Sequence, residues 1–174
     1  MAGATLEIAW RPGRMMTALA SLQAGLRDPF PLLGAIGTLL VRNTQDRFDD
    51  ETAPDGSSWA PLSPLYAPHK RGAGILRAAA MRGGLQGSIT SRVDGANVIV
   101  GSNKVYAAVH QFGATITPKN PGGRLILRDW KGRAFASAAE VTIPARPYLG
   151  LSRFDEVTIL EATEDYLDAI LRRG

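Results

Sequence analysis

Apolar residues at Met15, Leu19, Leu22 and Leu26 recur at i, i+4, i+7 and i+11, the spacing that puts side chains on one face of an α-helix. Asp28-Pro29 closes that run, because proline disfavours helical backbone in the residue before it. A second helix starts near Pro31, where a first-turn proline sacrifices no hydrogen bond, and carries Leu32, Leu33, Ile36, Leu39, Leu40 and Phe48 to an end at Asp49-Asp50-Glu51. Upstream, Leu6, Ile8 and Trp10 alternate with Thr5, Glu7 and Ala9, the period-2 pattern of a half-buried strand that Pro12-Gly13 ends.

Residues 52–84 lose all periodicity in Pro, Gly, Ser and basic residues, with Trp59, Leu62, Leu65 and Tyr66 as scattered anchors, and predict a long, partly mobile loop. Ile89, Ser91 and Val93 then alternate with Thr90, Arg92 and Asp94, and Val98-Ile99-Val100 answers them across Asp94-Gly95, whose residues tolerate the positive φ of a tight turn. Val105, Ala108, Val109 and Phe112 have the spacing of a short helix, capped by Ser102 or Asn103 and ended at Gly113. Residues 116–143 read as strands broken at Pro121-Gly122-Gly123 and Lys131-Gly132, with a projecting hairpin arm around residues 125–135. A last helix begins at Ser152, with Asp155 completing a capping-box pattern, and carries Phe154, Val157, Leu160, Leu167, Ile170 and Leu171 as its apolar stripe. Strands joined by tight turns favour antiparallel pairing. The predicted class is therefore α+β: an antiparallel sheet packed against an N-terminal helix pair and a C-terminal helix, with long mobile loops, in a single domain over residues 1–174.

Charge changes this picture more than composition does. The net charge is +4, but residues 1–68, 69–146 and 147–174 carry −2, +9 and −3, a basic middle between acidic ends. Such asymmetry serves nucleic acid, or lets the acidic part of one subunit meet the basic part of the next. Having no cysteines, the chain has no disulfides and no thiolate chemistry, which fits folding in a reducing cytoplasm. The longest apolar run, near Leu32, is interrupted by Gly34 and Gly37 and is far shorter than the ~20 residues of a bilayer span, so no membrane partner is expected. The start of the chain lacks the pattern of a secretion signal.

Candidate chemistry is sparse. His69 and His110 lack a second histidine or acid at metal-ligand spacing and lack a partnered nucleophile; His69 reads as solvated and His110 as the polar edge of its helix. Asp49, Asp50, Glu51 and Asp55 lack the alternating ligands of a calcium loop, and Gly72-Ala73-Gly74 lacks the flanking strand and helix of a phosphate loop. No catalytic residue, metal or cofactor is expected. No zinc-finger, RNP or helix-turn-helix pattern organises the basic residues, which leaves unspecific contact with DNA phosphates. Trp59, Tyr66 and Trp130 lie in irregular segments, where an aromatic either anchors a loop or waits for a partner.

Gln45-Asp46-Arg47-Phe48, followed by Pro54-Asp55-Gly56-Ser57-Ser58-Trp59-Ala60-Pro61-Leu62, resembles the phage virion morphogenesis family, the tail-completion proteins of long-tailed and Mu-like bacteriophages. So do Val100-Gly101-Ser102, Tyr106-Ala107, His110-Gln111-Phe112-Gly113, and the run from Ile143-Pro144-Ala145-Arg146-Pro147-Tyr148 to Leu149-Gly150-Leu151-Ser152 ahead of the final helix. The resemblance implies a structural, non-enzymatic virion protein made in the host bacterial cytoplasm. It implies tail completion or head–tail joining at the neck, as a homo-oligomeric, hexameric ring whose neighbours are tail tube and head–tail connector proteins. The expected subunit interface comprises Trp59, Arg124, Arg128, Trp130, Arg133 and Arg146 on the basic side and Glu161, Glu164 and Asp168 on the acidic side, with Arg146 stiffened between Pro144 and Pro147 to hold a carboxylate. The alternatives are a DNA-binding accessory protein using the basic middle, including contact with DNA in a channel, and, behind it, an enzyme such as a nuclease.

Overall fold

The computed structural model describes residues 13–72, 74–77 and 84–173. The strand expected around Leu6, Ile8 and Trp10 lies outside them. Helices α1 (Gly13–Arg27) and α2 (Phe30–Asp50) follow the two periodic runs, broken at Asp28-Pro29 as expected. The end of α2 is set by Glu51, whose φ of 56° places it in the left-handed region while its N–H donates back to the Arg47 carbonyl. Residues 52–72 hold an isolated bridge between Thr52 and Ser58 and one 3-10 turn at Ala67–His69.

Strands β1 (Ile89–Asp94) and β2 (Asn97–Ser102) form the expected hairpin in a register that pairs Ile89 with Ser102 and Asp94 with Asn97. Its turn residues are Gly95 and Ala96; the positive φ belongs to Gly95, whereas Asp94 stays in the strand. Short helix α3 (Ala107–Phe112) follows. Strand β3 (Ala114–Ile116) pairs antiparallel with β6 (Val141–Ile143). Between them β4 (Leu125–Arg128) and β5 (Ala134–Ala138) form the arm, with a bulge at Leu127/Arg128. Helix α4 (Arg153–Arg173) ends the chain. The described strands thus make three two-stranded antiparallel ribbons, and the class is α+β.

Helix α2 is the centre of the packing, lying against β1, β2 and α4, while α1 lies on α4. Gly37 permits the approach to the hairpin: a Cβ there would stand 2.8 Å from the Ser91 hydroxyl and 3.3 Å from Val98. At the far end of α2, the Phe48 ring meets Trp59 edge-on at 5.3 Å and Tyr148 at 5.2 Å, and Ala53, Ile75, Leu85, Ile89 and Ala107 complete the core. Burying a side chain of Phe size contributes about 1.5–3 kcal/mol. The loop after α2 is therefore pinned by Trp59, which is 5 % exposed.

Two expected faces come out differently. Val105, just before α3, and Phe112, at its end, are 97 % and 78 % exposed, and Ala107 is the residue that enters the core. The turn before α3 is held by the Ser102 hydroxyl accepting from the Lys104 N–H, and the residue preceding α3, Tyr106, makes no side-chain cap. The arm does not project freely: Phe135 stacks on His69 at 3.9 Å and 13° and lies 6.5 Å from Tyr66. His69 is thereby a packing residue rather than a solvated one.

Candidate assembly surface

The extended segment 144–152 connects β6 to α4 and is held by side chains from three other parts of the chain. From α3, the Gln111 amide oxygen accepts from the N–H groups of Tyr148 and Leu149, both at 3.0 Å, and its nitrogen donates to the Leu149 carbonyl at 3.0 Å. From the post-α2 loop, the Trp59 indole N–H donates to the Pro147 carbonyl at 2.8 Å. From α2, Arg47 donates to the carbonyls of Tyr148 and Gly150 at 3.1 and 3.0 Å and pairs with Asp155 in the first turn of α4. The Tyr148 hydroxyl, its pKa pushed up by burial, donates to the Ala107 carbonyl at 3.2 Å.

Asp155 is fully buried, and its environment shows why it is charged there. Burial pushes its pKa up, but the Ser152 N–H and hydroxyl, both at 2.7 Å, Asn43 at 2.8 Å and the Arg47 guanidinium together hold it below the ordinary value. The Asp155 N–H returns to the Ser152 hydroxyl at 3.1 Å, so the capping box legible in the sequence is present and doubles as the acceptor for α2. Sequence reasoning missed Arg47 and Asn43 as buried groups. Their signal was polar side chains at i and i+4 on the same turn of α2 as Phe48.

Arg146 is 4 % exposed and donates to the carbonyls of Ala60 and Pro61 at 2.7 and 2.8 Å, so its fork binds backbone oxygens where a carboxylate was expected. Trp59 and Arg146, both expected at the interface, are thus committed inside the subunit. The remaining expected residues lie on the surface in two groups.

Arg124, Arg128, Trp130 and Arg133 converge on the β4–β5 arm. Arg124 donates to the Ser137 hydroxyl and carbonyl, Arg128 to the Gly132 carbonyl, and Arg133 pairs with Asp129 at 3.1 Å. Lys131 and Arg71 lie over the Trp130 ring at 4.9 and 5.2 Å from its centre. The inner side of the arm forms one wall of a cleft of about 680 Å³ whose other walls come from residues 62–71, 76–77 and 84–85, α3, β3 and β6. Leu62, Tyr66, Ile116, Leu127 and Phe135 give it an apolar lining, and its cations are Lys70, Arg71, Arg77, Arg128 and Arg146. Among the described residues no carboxylate lines it. Apart from Arg77, paired with Asp49, these cations find mainly carbonyls or rings, which do not cancel charge. His110, half-buried in the same wall, is kept neutral by burial and by the nearby Arg146 charge, both of which lower its pKa.

Glu161, Glu164 and Asp168 are exposed on α4, with Asp168 3.6 Å from Arg172. They share their face with apolar residues. Phe154, Val157, Leu160 and Leu171 are 64, 48, 59 and 41 % exposed, whereas Asp155, Ile159, Ala162, Tyr166 and Ile170 face α1 and α2. The stripe expected to enter the core is therefore split. From Phe154 to Ile170 it spans roughly 200° of the helix at 3.6 residues per turn, too wide for one contact, and α2 takes the edge that carries Asp155.

Large apolar side chains are left exposed on two charged surfaces, above an interior that uses its own polar groups, and exposed apolar patches rimmed by polar residues are a general mark of interaction sites. The chain belongs to the phage virion morphogenesis family, whose profile matches residues 13–168. It is 27 % identical over 165 residues to a protein of Escherichia phage Mu described as "Putative capsid assembly protein G", covering 92 % of each chain. It is 38 % identical over 88 residues to Mu-like prophage FluMu G protein 2 of Haemophilus influenzae, covering 51 % of this chain and 50 % of that one. No solved structure matches it. Its role is thus a structural one in phage particle assembly. Among the described residues no helix is long and apolar enough to cross a membrane.

Proposed function

We propose that the chain is a tail-completion subunit of the virion neck, closing the head-proximal end of the tail as a ring of six identical copies between the tail tube and the head–tail connector. One observation carries the ring: a single subunit bears two unlike surfaces of opposite charge, the basic arm and the acidic face of α4. A self-complementary two-fold contact would match one surface to itself, whereas two complementary surfaces join head to tail and close when the rotation permits. Arg124, Arg128, Trp130 and Arg133 are one side of the contact and Glu161, Glu164 and Asp168 the other.

The description of the phage Mu relative as a capsid assembly protein favours a second reading, action in assembly of the head. A third leaves the basic arm facing DNA in the channel. Fractionating heads, tails and complete particles and probing each for the chain separates the first two. Recovery from finished tails and complete particles, at a mass ratio near six copies, is the expected result. Recovery from head precursors alone sinks the neck assignment. Nuclease-sensitive retention of the chain on particles favours the DNA reading.

A further inference from the structure

The cleft beneath the arm and the outer stripe of α4 are complementary in a way that goes beyond charge. We infer that the cleft of one copy receives Phe154, Val157 and Leu160 of the next, seating the first turns of α4 as a helix in a groove. This rests on the ring reading above and names its contact.

The stripe is graded along the helix. Phe154, Val157 and Leu160 come first, one turn apart, and Glu161, Glu164 and Asp168 continue the same face. Apolar anchors spaced about a turn apart on one face are what an amphipathic helix offers a groove. The cleft offers both kinds of lining: the apolar side chains of Leu62, Tyr66, Ile116 and Leu127, and the cations Lys70, Arg71 and Arg128, whose own contacts are with carbonyls or a ring. A helix that brings apolar anchors followed by carboxylates satisfies both parts. A nucleic acid backbone would satisfy the cations and leave the apolar lining without a partner. Within one subunit the two surfaces stay apart, since α4 packs on α1 and α2, so the match is made between copies.

The test uses the absence of native cysteines. In one chain, Val157→Cys and Ile126→Cys put a thiol on the stripe and another on the cleft wall, both at exposed positions. A control chain pairs Val157→Cys with Ile99→Cys on β2, which is exposed and lies outside the cleft. Particles assembled with each chain are oxidised mildly and run without reductant. The expected result is a ladder of cross-linked multimers from the first chain and monomer from the control. An incorporated first chain that gives no ladder, or equal ladders from both, overturns the inference and leaves the neck assignment standing. Absence of the wild-type chain from tails and complete particles overturns the neck assignment and the inference with it. Should the first chain alone fail to incorporate, Leu65→Cys replaces Ile126→Cys in the same cleft, and the same two outcomes decide.

Discussion

Arg47 and Asp155 are 108 residues apart in sequence and form a buried ion pair that ties the last turn of α2 to the first turn of α4. Arg47 also holds two carbonyls of the intervening segment, and Asp155 also accepts from Ser152 and Asn43, so each charge has several partners. Removing one member strands the other without water. Arg47→Met or Asp155→Ala is expected to lower unfolding free energy by about 3–5 kcal/mol. Denaturant titration checks this, and a loss under about 1 kcal/mol would mean that the pair is not a structural tie.

The same pair makes stability depend on acid. Because the folded pKa of Asp155 lies below its ordinary value of 3.8, its contribution is fully present above that pH and is lost as pH falls from there through the folded value. The denaturant midpoint of the native chain should therefore drop on acidification below about pH 4. Asp155→Asn should start less stable and drop less over that window. Parallel acid profiles for the two chains would exclude Asp155 as the source.

Gly113 joins α3 to β3 with φ 73° and ψ 163°, backbone that only glycine adopts readily. A Cβ there would also stand 2.8 Å from the Ala145 nitrogen and 3.0 Å from the Ile143 carbonyl, atoms of a segment that cannot step aside. Gly113→Ala should cost about 1–3 kcal/mol from conformation alone, and more from the contact. Gly101→Ala, in β2 with nothing near its Cβ, is the matched control and should stay within about 0.5 kcal/mol of the native chain. Equal thermal midpoints for the two variants would contradict this.

Reversing Glu161, Glu164 and Asp168 to lysine should leave the subunit folded, because these residues point away from α1 and α2, and should weaken association. Exposed pairs contribute about 0–1 kcal/mol each, so the triple change should be felt where a single one is not. Raised salt should weaken the native oligomer in the same direction. Light scattering at low and high salt reads both effects. A triple variant that associates as well as the native chain at low salt would remove charge pairing from the interface.

The order of the elements within the described residues, both helices before residue 51, the β1–β2 hairpin, the arm and the Ser152–Asp155 cap were legible in the chain itself. Each depends on residues within a few positions of one another: a helical repeat, a Gly in a two-residue turn, a hydroxyl three residues from its carboxylate. The family was legible in the ordered motifs from Gln45 to Ser152. What the tertiary structure decided was the use of each face. Periodicity states that Phe154, Val157, Leu160, Leu167 and Ile170 lie on a broad arc, but which edge is buried depends on the surface α2 presents. There Arg47 and Asn43 draw in Asp155 and turn Phe154, Val157 and Leu160 outward. Trp59 and Arg146 illustrate the same limit. A lone tryptophan or arginine in a loop carries no period, and only the fold brought the Pro147 carbonyl to the indole and the Ala60 and Pro61 carbonyls to the guanidinium, contacts spanning 85 to 88 residues of chain.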